Sequence, residues 1–407
     1  MAESRRFKVN TLSSLRHRNF RLLWLSTLFG SSGLWIQQTS VGWLTYLVTG
    51  SPFLLGLVNG IRAIPLLLLG PLGGVAADRF DRKKMLLSTH LFLLVTTASF
   101  ATIVLLDKAN IWNIIAFTLL TGVAWSFNMP TRQSTIATVV PKQDLMNAYA
   151  LNASGVNITR IIGPSIAGVL IAVVTIAGNF YLQAATYVGV TAMVWRMKVP
   201  IGSPSSSKAS VWQNLKEGLR YVWARPSIRS QMSVALIPVL IGMPYVALLP
   251  IFAGDILDVG EIGFGLMMAA PGIGALAGTL TIATLGNVKR KGLTMLGALM
   301  AMGGTLVLFS FSRWYIPSLF LLGAVGACQM VYMTTNMTLL QMDTPNEFRG
   351  RVMGVWTLNQ GLQPLGSLIA GSMAEVWDAP TAVAIMGACV IVFSSLAFFR
   401  LPAVRTV

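Results

Sequence analysis

The chain has 407 residues, of which 54% are hydrophobic and only 11% are charged. A soluble protein of this length carries about 25% charged residues, so this composition excludes an ordinary soluble domain. The formal net charge of +17 is spread over short gaps between apolar runs, which favours anchoring at an anionic membrane surface over nucleic-acid binding. Cys328 and Cys389 both lie in apolar runs, which is typical of packed core residues rather than of a disulfide or a metal pair.

The apolar runs predict twelve membrane-spanning helices, six on each side of a central linker. A helix needs about 20 apolar residues to cross a bilayer, and the runs are close to that length or longer. The first six are predicted at residues 20–47, 54–77, 85–106, 111–127, 145–174 and 180–197. The second six are predicted at residues 232–253, 264–285, 293–311, 316–340, 352–376 and 381–399. The first run lacks a small-residue cleavage site, so we predict no removable signal peptide.

The linker begins with a stretch rich in Ser, Pro and Gly at residues 199–210. Apolar residues then recur at helical spacing from Val211 to Trp223, with charged residues on the opposite side. Such a helix is too polar to span a membrane and is expected to lie in the interface. The predicted domains are therefore a six-helix half at 1–198, a cytoplasmic linker with an interfacial amphipathic helix at 199–227, and a second six-helix half at 228–407.

The distribution of basic residues predicts the orientation of the chain in the membrane. With both termini on one face, 26 of the 30 Lys and Arg residues fall on that face. Lys108 and Arg313 fall on the other face, while Arg62 and Arg160 fall inside predicted spans. Because cytoplasmic connections are enriched in Lys and Arg, this bias predicts that both termini are cytoplasmic.

Short matches between the two halves predict an internal repeat. Gly56 matches Gly265 at an offset of 209 residues, and the run Gly163-Pro-Ser-Ile-Ala-Gly168 matches Gly366-Ser-Leu-Ile-Ala-Gly371 at an offset of 203. Two related six-helix halves are typical of proteins that bind a substrate between the halves and rock to open one side at a time. The sequence therefore predicts an all-α membrane protein of two pseudo-symmetric six-helix bundles.

A charged turn between the second and third spans follows a glycine-rich apolar run. Its marked residues are Gly74, Asp78, Arg79, Arg82 and Lys83. Gly73 and Gly74 are expected to let helices approach closely. Asp78 is expected to sit against the positive end of a neighbouring helix. A second interpretation treats the turn only as a marker of topology, although that does not explain its aspartates.

This turn resembles the motif Gly-x-x-x-Asp-Arg-x-x-Arg-Lys of the major facilitator superfamily, and the resemblance extends along the whole chain. It implies that Gly74, Asp78, Arg79, Arg82 and Lys83 gate the cytoplasmic side. Residues 128–164 look like the bacterial branch that includes the enterobactin exporter and macrolide efflux proteins. Gly163 and Pro164 are similar to part of the antiporter motif of fifth helices, where proline kinks the helix and glycine lets it pivot.

Candidate substrate-binding residues are polar or aromatic side chains in predicted spans or directly next to one: Gln37, Gln38, Arg62, Asn128, Arg160, Tyr245 and Asn336. Polar groups in hydrocarbon are costly unless they face water, a partner or a substrate. For the glutamines, hydrogen bonding between helices is an equal alternative. For the arginines, the alternative is bonding to helix-end carbonyls. For the aromatic residues, it is ordinary packing.

Proton coupling is not predicted from the span centres, because no Asp or Glu lies in the middle of any predicted span. Arginine does not release its proton in proteins. Coupling to protons therefore depends on Asp78 or on Asp255, which lies at a span end. No cofactor, metal site or catalytic residues are predicted, and an enzyme is not expected because no nucleophile–base pair or phosphate-binding loop is visible.

These features predict a secondary transporter of the bacterial inner membrane that exports a siderophore, drug or similar amphiphilic molecule. The export direction follows from the resemblance alone. Its expected partners are a small-molecule substrate, the lipid bilayer and, as a candidate, protons; it is expected to be a monomer that binds no nucleic acid. One alternative is a lipid or lysophospholipid flippase, which lateral apolar openings and Arg62 at headgroup depth would favour. Another is a transport-inactive membrane sensor.

Overall fold

The computed structural model describes residues 12–199, 211–286 and 290–401. Within these ranges every regular element is a helix, which confirms the predicted all-α class. The Ser/Pro/Gly-rich part of the predicted linker, at residues 200–210, lies outside the described residues. The predicted domain limits therefore stay predictions.

The first bundle contains six helices. They are α1 Arg18–Thr49, α2 Pro52–Ile61, α3 Ala63–Arg79, α4 Arg82–Leu105, α5 Ile111–Val139 and α6 Leu145–Arg196. Helices α2 and α3 together form one crossing, interrupted at Arg62. Helix α6 has 52 residues and would be about 78 Å long if straight, far more than a bilayer of about 30 Å. Thr175, with φ 72° and ψ 166°, breaks it into two arms that cross separately.

The second bundle is preceded by α7 Val211–Ala224. Its helices are α8 Pro226–Ile237, α9 Leu249–Ile251, α10 Gly260–Leu285, α11 Lys291–Phe311, α12 Tyr315–Asp343, α13 Asn346–Gln360, α14 Gln363–Val376 and α15 Ala379–Arg400. Short π and 3₁₀ turns at Pro238–Gly242, Pro244–Leu248 and Phe252–Ile256 join α8 to α10 through the membrane. Closely spaced prolines cause these irregular turns, since each lacks a backbone donor.

The described residues account for twelve crossings. Nine segments are long and apolar enough to span by length and composition, and one of them, Lys142–Arg196, holds the two arms of α6. The other two crossings are α1 and the pair α13–α14, which is interrupted at Gly361 and Leu362. The prediction of two six-helix bundles is therefore confirmed.

The fourth predicted span ends too early. The sequence interpretation ended it at residue 127 and placed Arg132 in a cytoplasmic connection, whereas α5 continues through Pro130 to Val139. Pro130 has no N–H to donate, so the Ser126 carbonyl loses its helical hydrogen bond. Gly73 of α3 packs against this carbonyl so closely that a methyl group added at Gly73 would lie 2.2 Å from the oxygen. Helix α3 therefore packs directly on this carbonyl, and α5 continues to Val139 despite the lost hydrogen bond.

Helix α7 is anchored to the second bundle rather than only to the membrane surface. A Tyr221 ring stacks on Phe348 of α13 with centroids 4.2 Å apart. Glu217 forms an ion pair of 3.2 Å with Arg351 of the same helix. A methyl group added at Gly218 would lie 2.6 Å from the Arg351 carbonyl oxygen. Helix α7 is therefore packed onto α13 of the second bundle.

The connections between crossings define two faces of the molecule. The basic face holds the α3–α4 turn with Arg79, Arg82, Lys83 and Lys84. The opposite face is the acidic face. Its connections and adjoining helix ends carry Asp107, Asp255, Asp258, Glu261, Glu375 and Asp378 against the basic Lys108 and Arg313.

Candidate functional site

The two bundles are hydrogen-bonded to each other only at the acidic face, among the residues that the structure describes. The Tyr46 hydroxyl of α1 donates to the Asp255 carboxylate of the second bundle. The Glu375 carboxylate at the end of α14 accepts from the Ser51 hydroxyl at 2.8 Å and from the Phe53 backbone N–H at 3.0 Å. We call these contacts the acidic-face seal. Both carboxylates belong to the second bundle, and all the hydrogen-bond donors belong to the first bundle.

Two glycine crossings continue the seal into the membrane. A methyl group added at Gly56 of α2 would lie 2.3 Å from the Ser367 carbonyl oxygen and 2.9 Å from the Gly371 Cα of α14. A methyl group added at Gly168 of α6 would lie 2.9 Å from the Gly265 Cα of α10. The repeat-matched glycines therefore pair crosswise, and the bundles meet backbone to backbone.

A small central pocket of about 50 Å³ lies between the bundles on the inner side of this seal. Its polar lining residues all come from the first bundle: Gln37, Gln38, Thr45, Asn59, Arg62 and Thr118. The second bundle contributes only apolar residues to it: Val246, Ala247, Pro250, Phe264 and Met268. A pocket for a drug-sized ligand needs roughly 300 Å³ or more, so this pocket is too small for such a ligand in the present conformation.

Arg62 lies at the interruption between α2 and α3 and is half-buried. Its Nη1 donates to Gln38 Oε1 at 2.7 Å, a side-chain partner rather than the helix-end carbonyl of the alternative interpretation. Arg62 follows Pro52 by ten residues, which places it about 15 Å along the crossing, near mid-depth. It does not lie at headgroup depth, so the flippase interpretation is not favoured.

Arg160 belongs to the first arm of α6 and is half-buried. Its guanidinium carbon lies 5.9 Å from the centre of the Trp35 ring of α1, within cation–π range. Its backbone carbonyl oxygen lies 3.6 Å from a methyl group added at Gly272 of α10, so this part of α6 contacts the second bundle. Gln38 and Arg62 line the central pocket, whereas Arg160 and Tyr245 are not among its lining residues, and the assignment of these four residues to substrate binding stays a prediction.

A larger cavity of about 630 Å³ opens toward the basic face, and we call it the vestibule. Leu67 of α3, Trp223 of α7 and residues of α8 and α13 line it. Its walls are mostly apolar, and Arg229 lies with its guanidinium carbon 5.9 Å from the centre of the Trp223 ring. The vestibule is large enough for a drug-sized amphiphile.

Three predicted substrate residues have partners inside a bundle. Gln37 donates to Thr121 at 2.9 Å, although it also borders the central pocket. Asn128 is fully buried and donates to Thr89 at 2.8 Å, so it does not face the space between the bundles. Asn336 is buried in the second bundle and donates to the Tyr332 hydroxyl at 3.2 Å.

The predicted gating residues occupy two places. Asp78 and Arg79 of the charged turn are exposed, and Asp78 has no hydrogen-bond or ion-pair partner among the described residues. The expected contact of Asp78 with a neighbouring helix end is therefore not made in this conformation. Asp81 caps α4 by accepting from the backbone N–H of Lys83 at 2.8 Å, and Arg82 Nε donates to the Ala77 carbonyl at 3.2 Å.

The glycines of these motifs differ in their contacts. A methyl group added at Gly74 would meet nothing within 4 Å, so the expected close approach at Gly74 is wrong and occurs at Gly73. At Gly163, an added methyl group would lie 2.6 Å from the Trp35 Cβ. Pro164 places its carbonyl at the α6–α10 crossing, 2.7 Å from a methyl group added at Gly265.

A buried polar cluster in the first bundle escaped the sequence analysis. Arg132 donates through Nη1 to the Ser26 hydroxyl at 2.9 Å and the Thr27 hydroxyl at 2.8 Å, and its Nη2 lies 3.2 Å from His90 Nε2. His90 Nδ1 lies 2.6 Å from the Leu86 carbonyl oxygen, so the ring proton belongs on Nδ1 and Nε2 accepts from Arg132. The sequence interpretation placed Arg132 in a cytoplasmic connection, outside the predicted spans. Residues 131–139 are mostly Thr, Ser, Arg and Gln, so no apolar pattern marked this part of α5 as buried.

Residues 9–406 match the family described as transmembrane secretion effectors. The chain is 26% identical over 375 residues to the staphyloferrin A transporter of Staphylococcus aureus, covering 90% of this chain and 92% of that protein. It is 25% identical over 365 residues to the multidrug efflux pump Tap of Mycolicibacterium fortuitum, covering 87% and 88%. It is 25% identical over 397 residues to the enterobactin exporter EntS of Salmonella typhi, covering 96% and 94%.

Solved structures share the fold. The nucleoside transporter NupG superposes with a TM-score of 0.76 at 12% identity, covering 93% of this chain and 99% of that chain. A bacterial homologue of the human lysosomal transporter Spinster superposes with a TM-score of 0.75 at 15% identity, covering 96% and 97%. At these identities the likeness concerns the arrangement of helices.

Proposed function

Because the chain belongs to the transmembrane secretion effector family of the major facilitator superfamily, we propose that it exports a siderophore, a drug or a similar amphiphilic molecule by alternating access. Membership makes it a multi-pass membrane transporter of small molecules. Its relatives transport staphyloferrin A, pump out multiple drugs and export enterobactin, which supports the substrate range. The efflux pump and the exporter also support the outward direction.

One observation carries the alternating-access proposal. All described hydrogen bonds between the bundles lie at the acidic face, while the vestibule opens toward the basic face. A substrate path that is closed at one face and open at the other is what the mechanism requires of one of its end states. The two glycine crossings supply surfaces on which α2 can rock against α14 and α6 against α10.

We propose that the charged turn forms the opposing gate when the acidic face opens. Gly74, Asp78, Arg79, Arg82 and Lys83 lie at the basic face, and the unpaired carboxylate of Asp78 is available to bind across the closing bundles. Gly163 and Pro164 act as the pivot of α6. Pro164 frees the Arg160 carbonyl, and that oxygen lies 3.6 Å from a methyl group added at Gly272 of α10.

The proposed orientation places the basic face in the cytoplasm, with both termini there, in the bacterial inner membrane. One chain contains both halves of the path, so the proposed working unit is a monomer. If protons couple to transport, the proposed sites are Asp255 in the seal and Asp78 in the turn, because no described carboxylate lines the central pocket.

Cross-linking the seal tests the proposal. In a variant with Cys328→Ala and Cys389→Ala, Ser51→Cys and Glu375→Cys are joined by a short bifunctional thiol reagent. Flux is followed in proteoliposomes with three probes that share one fluorophore: dansylglycine, its methyl ester and dansyl ethylenediamine. We expect at least one probe to be transported by the uncross-linked protein, and cross-linking to abolish that flux until the link is cleaved.

A matched control joins residues within one bundle. The hydroxyls of Thr102 and Tyr181 lie 2.8 Å apart in the first bundle, near the acidic face. Linking Thr102→Cys to Tyr181→Cys introduces the same chemistry without restraining one bundle against the other, so flux is expected to continue. Persistent flux through the cross-linked seal, or absence of flux for all three probes, contradicts the proposed function.

A further inference from the structure

We propose that Arg62 and Arg160 form an oxyanion-binding site in the central path, so that the exported compound is an anionic amphiphile. The inference rests on the proposed function and specifies the chemical class of its substrate. In this site the charged end of the substrate binds to the first bundle and its apolar end contacts the second bundle.

Arg62 has unused donor capacity at mid-depth. A guanidinium carries five N–H donors in a planar fork. Among the described residues, only Nη1 of Arg62 has a partner, which is the Gln38 side chain at 2.7 Å. That bond fixes the orientation of the guanidinium and leaves its other N–H groups for a ligand. A planar oxyanion such as a carboxylate matches this fork with two parallel hydrogen bonds.

Arg160 has neither a hydrogen-bond nor an ion-pair partner within the described part of the chain. Its one described contact of this kind is the face of the Trp35 ring, 5.9 Å from the guanidinium carbon. The ring orients the cation without neutralising it, because the attraction arises from the ring quadrupole. Arg62 lines the central pocket, and Arg160 lies on the stretch of α6 that contacts α10 of the second bundle. Because arginine stays protonated in proteins, both residues carry a positive charge where the bundles meet.

No carboxylate in the described ranges forms an ion pair with either arginine. In the described residues the two ion pairs are His17–Asp144 and Glu217–Arg351, and neither lies in the central path. Asp255 and Glu375 are engaged in the acidic-face seal. An arginine inside the bilayer is costly unless it meets water, a partner or an anion. A cationic substrate would be repelled by this site, and a neutral one would leave it unpaired.

The two walls of the central pocket add the amphiphilic requirement. Every polar lining residue belongs to the first bundle, and every lining residue of the second bundle is apolar. A ligand with one charged end and one apolar end satisfies both walls in a single orientation. The vestibule repeats this chemistry, since Arg229 lies among apolar walls beside the Trp223 ring.

The test compares the three dansyl probes in proteoliposomes of the full chain. They share an apolar body and differ in one group, which is a carboxylate, a neutral ester or an ammonium. We expect the carboxylate probe to be transported at least about tenfold faster than the ammonium probe. Arg62→Gln and Arg160→Gln are each expected to reduce this flux ratio about tenfold, as expected for the loss of one charge-assisted hydrogen bond.

Two further variants separate charge from structure. Arg160→Lys keeps the positive charge and is expected to keep most of the preference for the carboxylate probe. Lys108→Gln removes one positive charge from an exposed position on the acidic face and is expected to leave the ratio unchanged. Because the readout is a ratio of fluxes in one preparation, a smaller amount of folded protein does not alter it.

The outcomes distinguish the inference from the function on which it rests. Transport that favours the ammonium probe, or a ratio unaffected by both glutamine substitutions, overturns the anion site while the transport function stands. Absence of flux for all three probes overturns the transport function and the inference together. Preference for the carboxylate, lost in both glutamine variants and kept in Arg160→Lys, supports the site.

Discussion

Substituting Gly56 with alanine tests whether the glycine crossings hold the acidic face closed. The added methyl group would lie 2.3 Å from the Ser367 carbonyl oxygen, whereas ordinary contact begins at 3.4 Å. Helices α2 and α14 must therefore separate by about 1 Å, since neither backbone can rotate away. Overpacking of this kind costs about 1–3 kcal/mol. A cost of about 2 kcal/mol to the closed state shifts the conformational equilibrium about 30-fold.

Thiol labelling measures this shift. In the background without Cys328 and Cys389, a single Val58→Cys reports on the central pocket, where Val58 is buried. A membrane-impermeant maleimide is added from the acidic face. We expect labelling to become at least about tenfold faster in Gly56→Ala, because the closed state is the one that the methyl group destabilises.

The matched control is Gly304→Ala in α11. A methyl group at that position would meet nothing within 4 Å, and alanine is favoured over glycine in a helix by about 0.5–1 kcal/mol. This variant is expected to label like the parent and to be no less stable. Equal labelling rates in Gly56→Ala and Gly304→Ala would refute the assignment of the crossing to the closed state.

Three further predictions concern single side chains. Glu375→Gln replaces the carboxylate that accepts from Ser51 with a weaker, neutral acceptor. In the same assay, the labelling rate of Val58→Cys should rise about three- to tenfold, less than in Gly56→Ala. An unchanged labelling rate would contradict the role of the seal. Arg132→Gln should lower the free energy of unfolding by about 2–4 kcal/mol, because it removes a buried cation from its hydrogen-bond partners. The ratio of probe fluxes should not change, because Arg132 lies inside the first bundle. A changed ratio in a folded variant would place Arg132 in the substrate path instead. The Thr381 backbone N–H donates to the Asp378 carboxylate and holds its pKa below the ordinary value. This carboxylate therefore stabilises the fold at neutral pH, and its contribution is lost as the pH falls below about 4. The thermal unfolding temperatures of Asp378→Ala and the parent should converge at acidic pH, and a difference that persists there would contradict the assignment.

The helix count and the repeat are predictable because they depend on composition over long windows. Apolar runs of bilayer length define crossings whatever their neighbours are. The exceptions are local. Proline at position 130 is typical of a helix end, yet α5 continues past it, with Gly73 of α3 packed against the freed Ser126 carbonyl. That contact comes from another helix, so no pattern within α5 reveals it.

Contacts between helices also decide which candidate site residues the sequence can predict. Gln38 and Arg62 can be picked out because a polar group in an apolar run requires a partner, but the sequence does not say which partner. The bond between them joins residues 24 positions apart across α1 and the α2–α3 interruption. Asn128 satisfies the same rule and bonds within its own bundle instead. Polarity in a span therefore identifies candidates, and only packing decides which of them face the path.

The internal repeat is kept where the bundles touch and is broken at the two arginines of the proposed binding site. The offsets that pair Gly56 with Gly265 and Gly168 with Gly371 recur because each crossing needs a glycine on both helices. The same offsets of 209 and 203 residues make Pro271 the repeat counterpart of Arg62 and Gln363 the repeat counterpart of Arg160. Neither counterpart carries a charge. A symmetric hinge requires matched glycines, whereas an amphiphile that binds in one orientation requires unlike walls, so the two halves diverge at the arginines.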